Sequence, residues 1–429
     1  MSLVVDNKSA VTQNLLEQLQ KNSSKIAFMP DTEIVSAIRI LEDKGIPNNK
    51  HEDYKYCNIE AVLRKEFKLV EQSFNGLSNA DIAPLKIDEA INLVVVNGNY
   101  SEELSEKMIV KGLTVKSLNE LSSSEKGLLS SQAKSDTDAL IALNSAFTGN
   151  GLFLQVDRNN IIPMPLHVIY VNSGNTNNVT NTRNFINIQA SAEVTLIESF
   201  YNIGTAKVFS NFVSEKLVGE NAKLTCYTFQ NEGSLSYSVN TNQVKISKYS
   251  NYTNNTFTLS GELVRNNHNV ELADSNCEAH LNGLFITNGT QSVDNHTLID
   301  HQMPNCESNE LYKGIAKDKS AGTFNGKIFV RKDAQKTNAY QSSKNILMSD
   351  DATINTKPQL EIYADDVKCS HGTSTGKIDT EALFYLKARG IGEESARKLL
   401  LQAFAQELID KIEIPSLQER VLRLFEKAL

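Results

Sequence analysis

From about residue 151 to 368 the chain carries no helical period longer than about two turns. Short stretches alternate apolar and polar residues instead, as in Ile186-Asn-Ile-Gln-Ala190, Val194-Thr-Leu196, Val244-Lys-Ile246 and Lys327-Ile-Phe-Val330, with Asn, Ser, Asp and Gly between them. Period-two alternation bounded by turn formers restricts this region to β-structure. A weaker recurrence places a small residue two positions before a β-branched or large apolar one. It shows in Ala192-Glu-Val194, Ala222-Lys-Leu224, Ala321-Gly-Thr323 and Ala352-Thr-Ile354, at intervals of 30, 99 and 31 residues. Asn-rich turns and short strands at such a period point to a parallel β-solenoid with a coil of about 30 residues. The pattern by itself leaves a sandwich or barrel open.

The flanks differ. Leu15, Leu16 and Leu19 share one face of a short helix, and Ile34, Ala37, Ile38 and Leu41 share a face of a second that opens after Asp31. Gly45 and Pro47 stop it. Residues 51–150 are mixed: Ile91–Asn97 reads as a buried strand and Ser135–Phe147 as a helix. After Gly376 the helical period returns, with helices over Thr380–Lys387 and Glu393–Ile412 and a third opened by a capping box, Ser416-x-x-Glu419, beyond Pro415. The chain therefore divides into a helical and mixed α/β region (1–150), a mainly β core (151–376) and a helical C-terminal domain (377–429).

Lys plus Arg number 43 and Asp plus Glu 51, a net charge of −8, so no strongly basic face is available for nucleic acid or an anionic membrane. No apolar stretch approaches the roughly 18 residues that span a bilayer. Met1–Asp6 lacks the basic and apolar segments of a signal peptide. The five cysteines, at 57, 226, 277, 306 and 369, are too scattered for a disulfide framework or a metal clip. The expectation is a soluble, cytoplasmic protein.

The densest chemistry lies in Tyr363-Ala-Asp-Asp-Val-Lys-Cys369-Ser-His371-Gly-Thr-Ser-Thr-Gly376. On a strand, Cys369 and His371 project from one face. A thiol beside an imidazole makes half a site for a soft or borderline metal, or a nucleophile with its base. A buried Cys and a hydrogen-bonded His closing the last coil is the structural alternative. Gly372–Gly376 followed by Lys377 mimics a phosphate loop and fails it, with three residues between the glycines instead of four and Ile378 in the magnesium-binding position. His296, Asp300, His301, Cys306 and Glu307 are crowded in sequence, but an offset of five puts the two histidines on opposite faces of a strand. No local set of four ligands exists, so any metal or cluster chemistry needs a site shared with a partner. The apolar C-terminal helix faces either close the solenoid end or receive a partner.

These residues also carry a resemblance. Ile299-Asp-His-Gln-Met-Pro-Asn-Cys-Glu-Ser308, Glu310-Leu-Tyr-Lys-Gly314, Phe324-Asn-Gly-Lys-Ile-Phe-Val-Arg331, Asp333-Ala-Gln-Lys-Thr337, Thr356–Gly372 and Glu381-Ala-Leu-Phe-Tyr-Leu386 resemble the SufB/SufD family of iron–sulfur cluster assembly proteins. Pro47-Asn-Asn-Lys-His-Glu-Asp-Tyr-Lys-Tyr56 looks like the segment of the SufD branch, where Trp commonly stands at the position of Tyr54. The family often continues His-Gly-Ala-Thr-Val-Gly, whereas Thr373, Ser374 and Thr375 follow Gly372 here. The resemblance implies a right-handed parallel β-helix between helical regions and a non-enzymatic scaffold subunit. It implies pairing with a SufB subunit through the β-helix and binding of the SufC ATPase by the C-terminal helices, where Leu399, Leu400, Ala403 and Phe404 are the candidate contacts. A cysteine desulfurase system supplies the sulfur. Cys369 and His371 would face the SufB interface, where iron or a cluster is held transiently with no permanent cofactor, and the isolated chain could pair with itself. The paralogous SufB-type scaffold is the nearest alternative. A carbohydrate-acting β-helix enzyme fits less well, because aromatic residues are 7% and Trp is absent.

Overall fold

The computed structural model describes residues 10–22, 29–64, 67–69, 76–107 and 109–429. Met1–Asp6 and the side chain of Leu19 lie outside the described residues. The core is a parallel β-solenoid whose coils each give one strand to each of two sheets. Sheet 1 runs from Leu113–Ser117 through Asn150–Val156, Asn178–Ile188, Val208–Val218, Ser236–Ile246, Leu263–Leu272, Ser292–His301 and Ala321–Val330 to Thr353–Ile362. Sheet 2 runs from Asn99–Ser101 through Ile91–Val96, Leu166–Asn172, Glu193–Asn202, Lys223–Asn231, Asn251–Ser260, Glu278–Thr287, Glu307–Ala316 and Asn338–Leu347 to Lys368–Gly376.

The coil length is set by the turn that leads into sheet 2. Ser191, Asn221, Tyr249, Asn276, Asn305 and Lys336 each adopt φ between 55° and 60°, a left-handed conformation in which Asn is several-fold enriched. A small buried residue follows every time: Ala192, Ala222, Ser250, Cys277, Cys306 and Thr337. The strand begins at the next position, so Glu193, Lys223, Asn251, Glu278, Glu307, Asn338 and Lys368 stand in register, 27 to 31 residues apart. Cys277 Sγ closes its turn on the carbonyl three residues back, Asp274 O (3.0 Å), and Thr337 Oγ1 does the same on Ala334 O (2.8 Å), whereas Cys306 Sγ reaches Asp274 O (3.1 Å) of the preceding coil. Ala192 and Ala222 belong to this turn. Ala321 opens a strand of sheet 1 and Ala352 precedes one, so the 99-residue interval joined two different sheets.

The interior is apolar at one level and polar at the next. Leu152, Val168, Leu196, Leu224, Leu281 and Phe324 belong to one continuous core inside the coils. Buried in the same space, the Lys216 ammonium lies 2.6 Å from Glu198 Oε2, and Tyr252 Oη is 2.8 Å from His268 Nε2. Inward-facing glycines make room for large side chains on the neighbouring strand of sheet 2. A Cβ on Gly283 would lie 2.2 Å from the Tyr312 ring and one on Gly314 2.2 Å from Phe285.

The N-terminal region closes the first end of the stack and lines sheet 1. Its strands Asn99–Ser101 and Leu113–Ser117 pair antiparallel at the two sheet edges and end them. Helix Asp31–Lys44 and helix Ala139–Phe147 bury Ala37, Leu41, Leu140 and Phe147 against Val179, Phe209, Tyr237 and Val239 of sheet 1. The second of these starts at Ala139 rather than at Ser135, because Asp138 caps it through Leu140 N (2.7 Å). Arg183 and Glu215, both fully buried and 2.8 Å apart, fasten the segment before it: Glu215 accepts from the backbone of Ser130, Gln132 and Ala133. Tyr54 explains the His51–Tyr56 segment. Its hydroxyl donates to Asp138 (2.7 Å) and its ring lies 4.0 Å from the Arg265 guanidinium, which pairs with Asp294 at 2.6 Å.

The C-terminal helices are Thr380–Ala388, Glu393–Ile409 and Pro415–Ala428. Leu401, Ala405, Leu408, Ile412, Val421 and Phe425 pack on Tyr227, Phe229, Phe257, Leu284 and Ile315 of sheet 2. They cover the outer face of the sheet and do not close the end of the solenoid. The second helix stops at Ile409, three residues before its expected end. The capping box at Ser416 does not form: Ile414 holds the cap position, Pro415 fills the first helical position without needing a donor, and Ser416 bonds Glu89 instead. Among the described residues, no helix is long and apolar enough to cross a membrane.

Removing Arg183 would leave the Glu215 carboxylate without its counter-ion in the interior. Arg183→Leu is expected to cost about 3–5 kcal/mol, read as a fall in the urea unfolding midpoint. A second test concerns pH. Glu232 is buried with Ser238 Oγ donating to it at 2.8 Å, and burial pushes its carboxyl up to about 7. The folded value exceeds the unfolded value of about 4.3, so its contribution is complete below about pH 4 and is lost as pH rises through 7. Urea titrations at pH 5 and pH 8 should show Glu232→Gln losing less stability than the unaltered protein over that interval.

Candidate functional site

The last strand of sheet 2, Lys368–Gly376, pairs in register with Asn338–Leu347 and has no strand on its other side. The last strand of sheet 1, Thr353–Ile362, likewise ends its sheet. Most residues of these two strands are exposed or half-buried, whereas the strands beneath them are buried on the inner face. The lumen is therefore open at this end.

Cys369 and His371 sit at the rim of that opening, both on the inward-facing positions. Cys369 stands over Ala339, Ser308 and Ala279, and packs with Ile328, Val330 and Ala364. His371 stands over Gln341, Glu310, Leu281, Asn254 and Cys226 in successive coils. The alternative of a buried cysteine and a hydrogen-bonded histidine does not hold. Cys369 is half-buried, His371 is exposed, and no hydrogen bond reaches the imidazole among the described residues. Burial still pushes the Cys369 thiol up from its ordinary value, so the neutral thiol dominates near pH 7. Gly372–Gly376 is extended strand with no helix directly after it, which leaves no phosphate cradle. A groove along the outer face of sheet 2 reaches the same rim, passing Tyr227, His280 and Tyr340 beneath Lys411 and ending at Ser370 and His371.

The crowded segment around residue 300 separates into distinct environments. His296 faces outward beside Asp294 (3.0 Å) and Arg265, Asp300 holds Arg331 at 2.7 Å, and His301 is buried against Ser308. Cys306 is a turn residue of the solenoid, as is Cys277. Cys57 and Cys226 are also buried, and burial pushes each thiol up to about 12. Among the described residues, no group of three or more His, Cys, Asp and Glu side chains is placed to hold a metal ion. A metal at the rim would draw on Cys369 and His371 and on ligands from outside the chain.

Of the helix residues singled out from sequence, Leu399 and Ala403 are exposed, while Leu400 and Phe404 are partly buried against the chain's own core. Lys313 pins the last of these by donating to its carbonyl oxygen (2.7 Å), with the ammonium 5.0 Å from the ring centroid. The preceding helix carries two exposed aromatics, Phe384 at 74% and Tyr385 at 57%, and Leu399 is 45% exposed. Sequence periodicity missed both aromatics, although a nine-residue helix with no buried residue is a sign of an unpartnered one.

Two family descriptions match the chain. "SUF system FeS cluster assembly, SufBD core domain" covers residues 170–404 and "SufBD protein N-terminal region" covers residues 15–168. The Escherichia coli iron–sulfur cluster assembly protein SufD is 31% identical over 88% of each chain. The Synechocystis SufBD family protein slr0076 is 29% identical over 94% of this chain and 93% of its own. Protein ABCI7, chloroplastic, of Arabidopsis thaliana is 33% identical over 54% of this chain and 50% of its own. The N-terminal match ends and the core match begins at the third strand of sheet 2, Leu166–Asn172, some way into the solenoid. With the solenoid, the rim residues and these matches together, the chain belongs to the SufBD family of SUF-system iron–sulfur cluster assembly proteins.

Proposed function

We propose that this chain is a non-enzymatic, SufD-type scaffold subunit that completes a cluster-assembly site together with a SufB-type partner. The observation that carries this reading is the open solenoid end. One end of the stack is closed by the chain's own antiparallel strands, and the other presents two unpaired strand edges with Cys369 and His371 at the rim. Unpaired edges are templates for a further strand, and a partner solenoid that docks here brings its own ligands to the same place. Iron, sulfide or a nascent cluster is the cargo of such a site. The neutral imidazole of His371 is a ligand for iron, and the Cys369 thiol becomes one, or a sulfur acceptor, when a nearby cation draws off its proton. A second copy of the chain offers the same edges, which supports pairing with itself in isolation.

The C-terminal domain supplies the second contact. Phe384, Tyr385 and Leu399 are exposed apolar side chains of the C-terminal domain, whose helices are anchored to sheet 2, and rigidly mounted aromatics are frequent binding hot spots. A SufC-type ATPase is the occupant that the family supports, and it supplies the nucleotide chemistry that this chain lacks. Action in the cytoplasm follows from the same reading.

The test is reconstitution with SufB-type and SufC-type subunits. His371→Ala should lower the yield of assembled cluster about tenfold or more while the three subunits still co-elute, and undiminished assembly would remove His371 from the site. Phe384→Asp combined with Tyr385→Ala should weaken SufC binding by about 2 kcal/mol, roughly thirtyfold in Kd by calorimetry. Unchanged affinity would place the SufC contact elsewhere.

A further inference from the structure

We infer that Gln341 is a positioning residue for His371: its unpartnered side-chain carbonyl is placed to accept the proton of one imidazole nitrogen, which leaves the other nitrogen's lone pair free at the rim. The inference rests on the proposed role of His371 as an iron ligand. Four observations lead to it. His371, Gln341 and Glu310 occupy the same inward column on successive strands of sheet 2, and neighbouring strands are about 4.8 Å apart, so His371 is the next residue above Gln341 in that column. The amide is oriented, because Gln341 Nε2 donates to Glu310 Oε2. That bond turns the opposite face, Oε1, away from the acid. Gln341 is only 3% exposed, and Oε1 has no hydrogen-bond partner. A buried amide carbonyl without a donor carries a desolvation penalty that an imidazole N–H would remove.

The fourth observation comes from the facing sheet. A Cβ on Gly326 would lie 2.3 Å from Gln341 Nε2 and 2.8 Å from its Cδ. The glycine of Phe324-Asn-Gly-Lys327 therefore provides the space in which the amide lies across the lumen. Ligand histidines commonly donate their second N–H to a carbonyl or carboxylate, which fixes both the tautomer and the ring plane. Gln341 supplies that carbonyl from within the chain, and Glu310 holds it in place. Cys369 is on a separate column, over Ala339 and Ser308, and takes no part in the arrangement.

The experiment reads the tautomer directly. The full chain is labelled with 15N-histidine, and long-range 1H–15N correlation spectra are recorded at pH 8, with the His371 signals identified by their loss in His371→Ala. One neutral tautomer should dominate in the unaltered protein. Gln341→Met, similar in length but without the carbonyl, should give a mixture while the signals of the other histidines stay in place. Should that variant fail to fold, Gly326→Ala displaces the amide with both polar side chains kept and should give the same mixture. A second arm measures ferrous ion retained by the complex with the SufB-type and SufC-type subunits, where Gln341→Met should lower the affinity about tenfold. An unchanged tautomer, or a changed tautomer with unchanged retention, overturns the inference. Loss of retention in His371→Ala but not in Gln341→Met overturns it while leaving the proposed function standing. Full retention in His371→Ala removes the proposed ligand role instead.

Discussion

A coil of a β-solenoid cannot satisfy its own backbone. Each N–H and C=O that points along the stack is paired by the coil above or below, as the unbroken register from Glu193 to Lys368 shows. Such a stack must have two ends, and each end presents a row of unpaired groups around an exposed lumen. This chain treats its ends differently. At the first, Asn99–Ser101 and Leu113–Ser117 reverse direction and pair antiparallel. At the other it places three helices against the flank of sheet 2, where they bury Leu401, Leu408 and Phe425, and it leaves the strands carrying Cys369 and His371 exposed. Covering that end with its own helices would have hidden the only cysteine of the chain that is not buried.

The β character of residues 151–368, most helix positions and the shared face of Cys369 and His371 were legible because each rests on local periodicity. The coil length was harder. Its marker is a left-handed residue followed by a small buried one, but the small residue changes from Ala to Ser to Cys to Thr along the stack. Only the backbone conformation repeats. That substitution series also left Cys306 looking like a member of a ligand cluster near residue 300, when its buried thiol bonds the Asp274 carbonyl of the preceding coil. Phe404 lies partly buried against the chain's own core, and periodicity identifies an apolar face without saying what covers it. Phe384 and Tyr385 escaped because a short helix with no buried residue has no period to detect.

Three inward-facing glycines, of which Gly314 and Gly326 belong to the segments that carry the resemblance, have a packing role. Gly283, Gly314 and Gly326 all have negative φ and need no special backbone conformation. What they give is clearance. Side chains of both sheets share one lumen, and the rings of Tyr312 and Phe285 and the amide of Gln341 pass where a Cβ would be. A solenoid lumen filled only with aliphatic residues needs no such clearance. The glycines mark where large aromatic or polar groups have been brought to the centre.

Polar groups at the centre are expensive unless paired. Lys216 with Glu198, Arg183 with Glu215 and Tyr252 with His268 are deep in the stack, each polar side chain close to a partner. The acceptors that this pairing leaves over are spread along the whole stack, from Asn178 Oδ1 and Glu198 Oε1 to Gln341 Oε1 and Asn345 Oδ1. A leftover acceptor therefore does not by itself mark a site. What sets Gln341 apart is its place, one strand beneath an exposed histidine at the open rim.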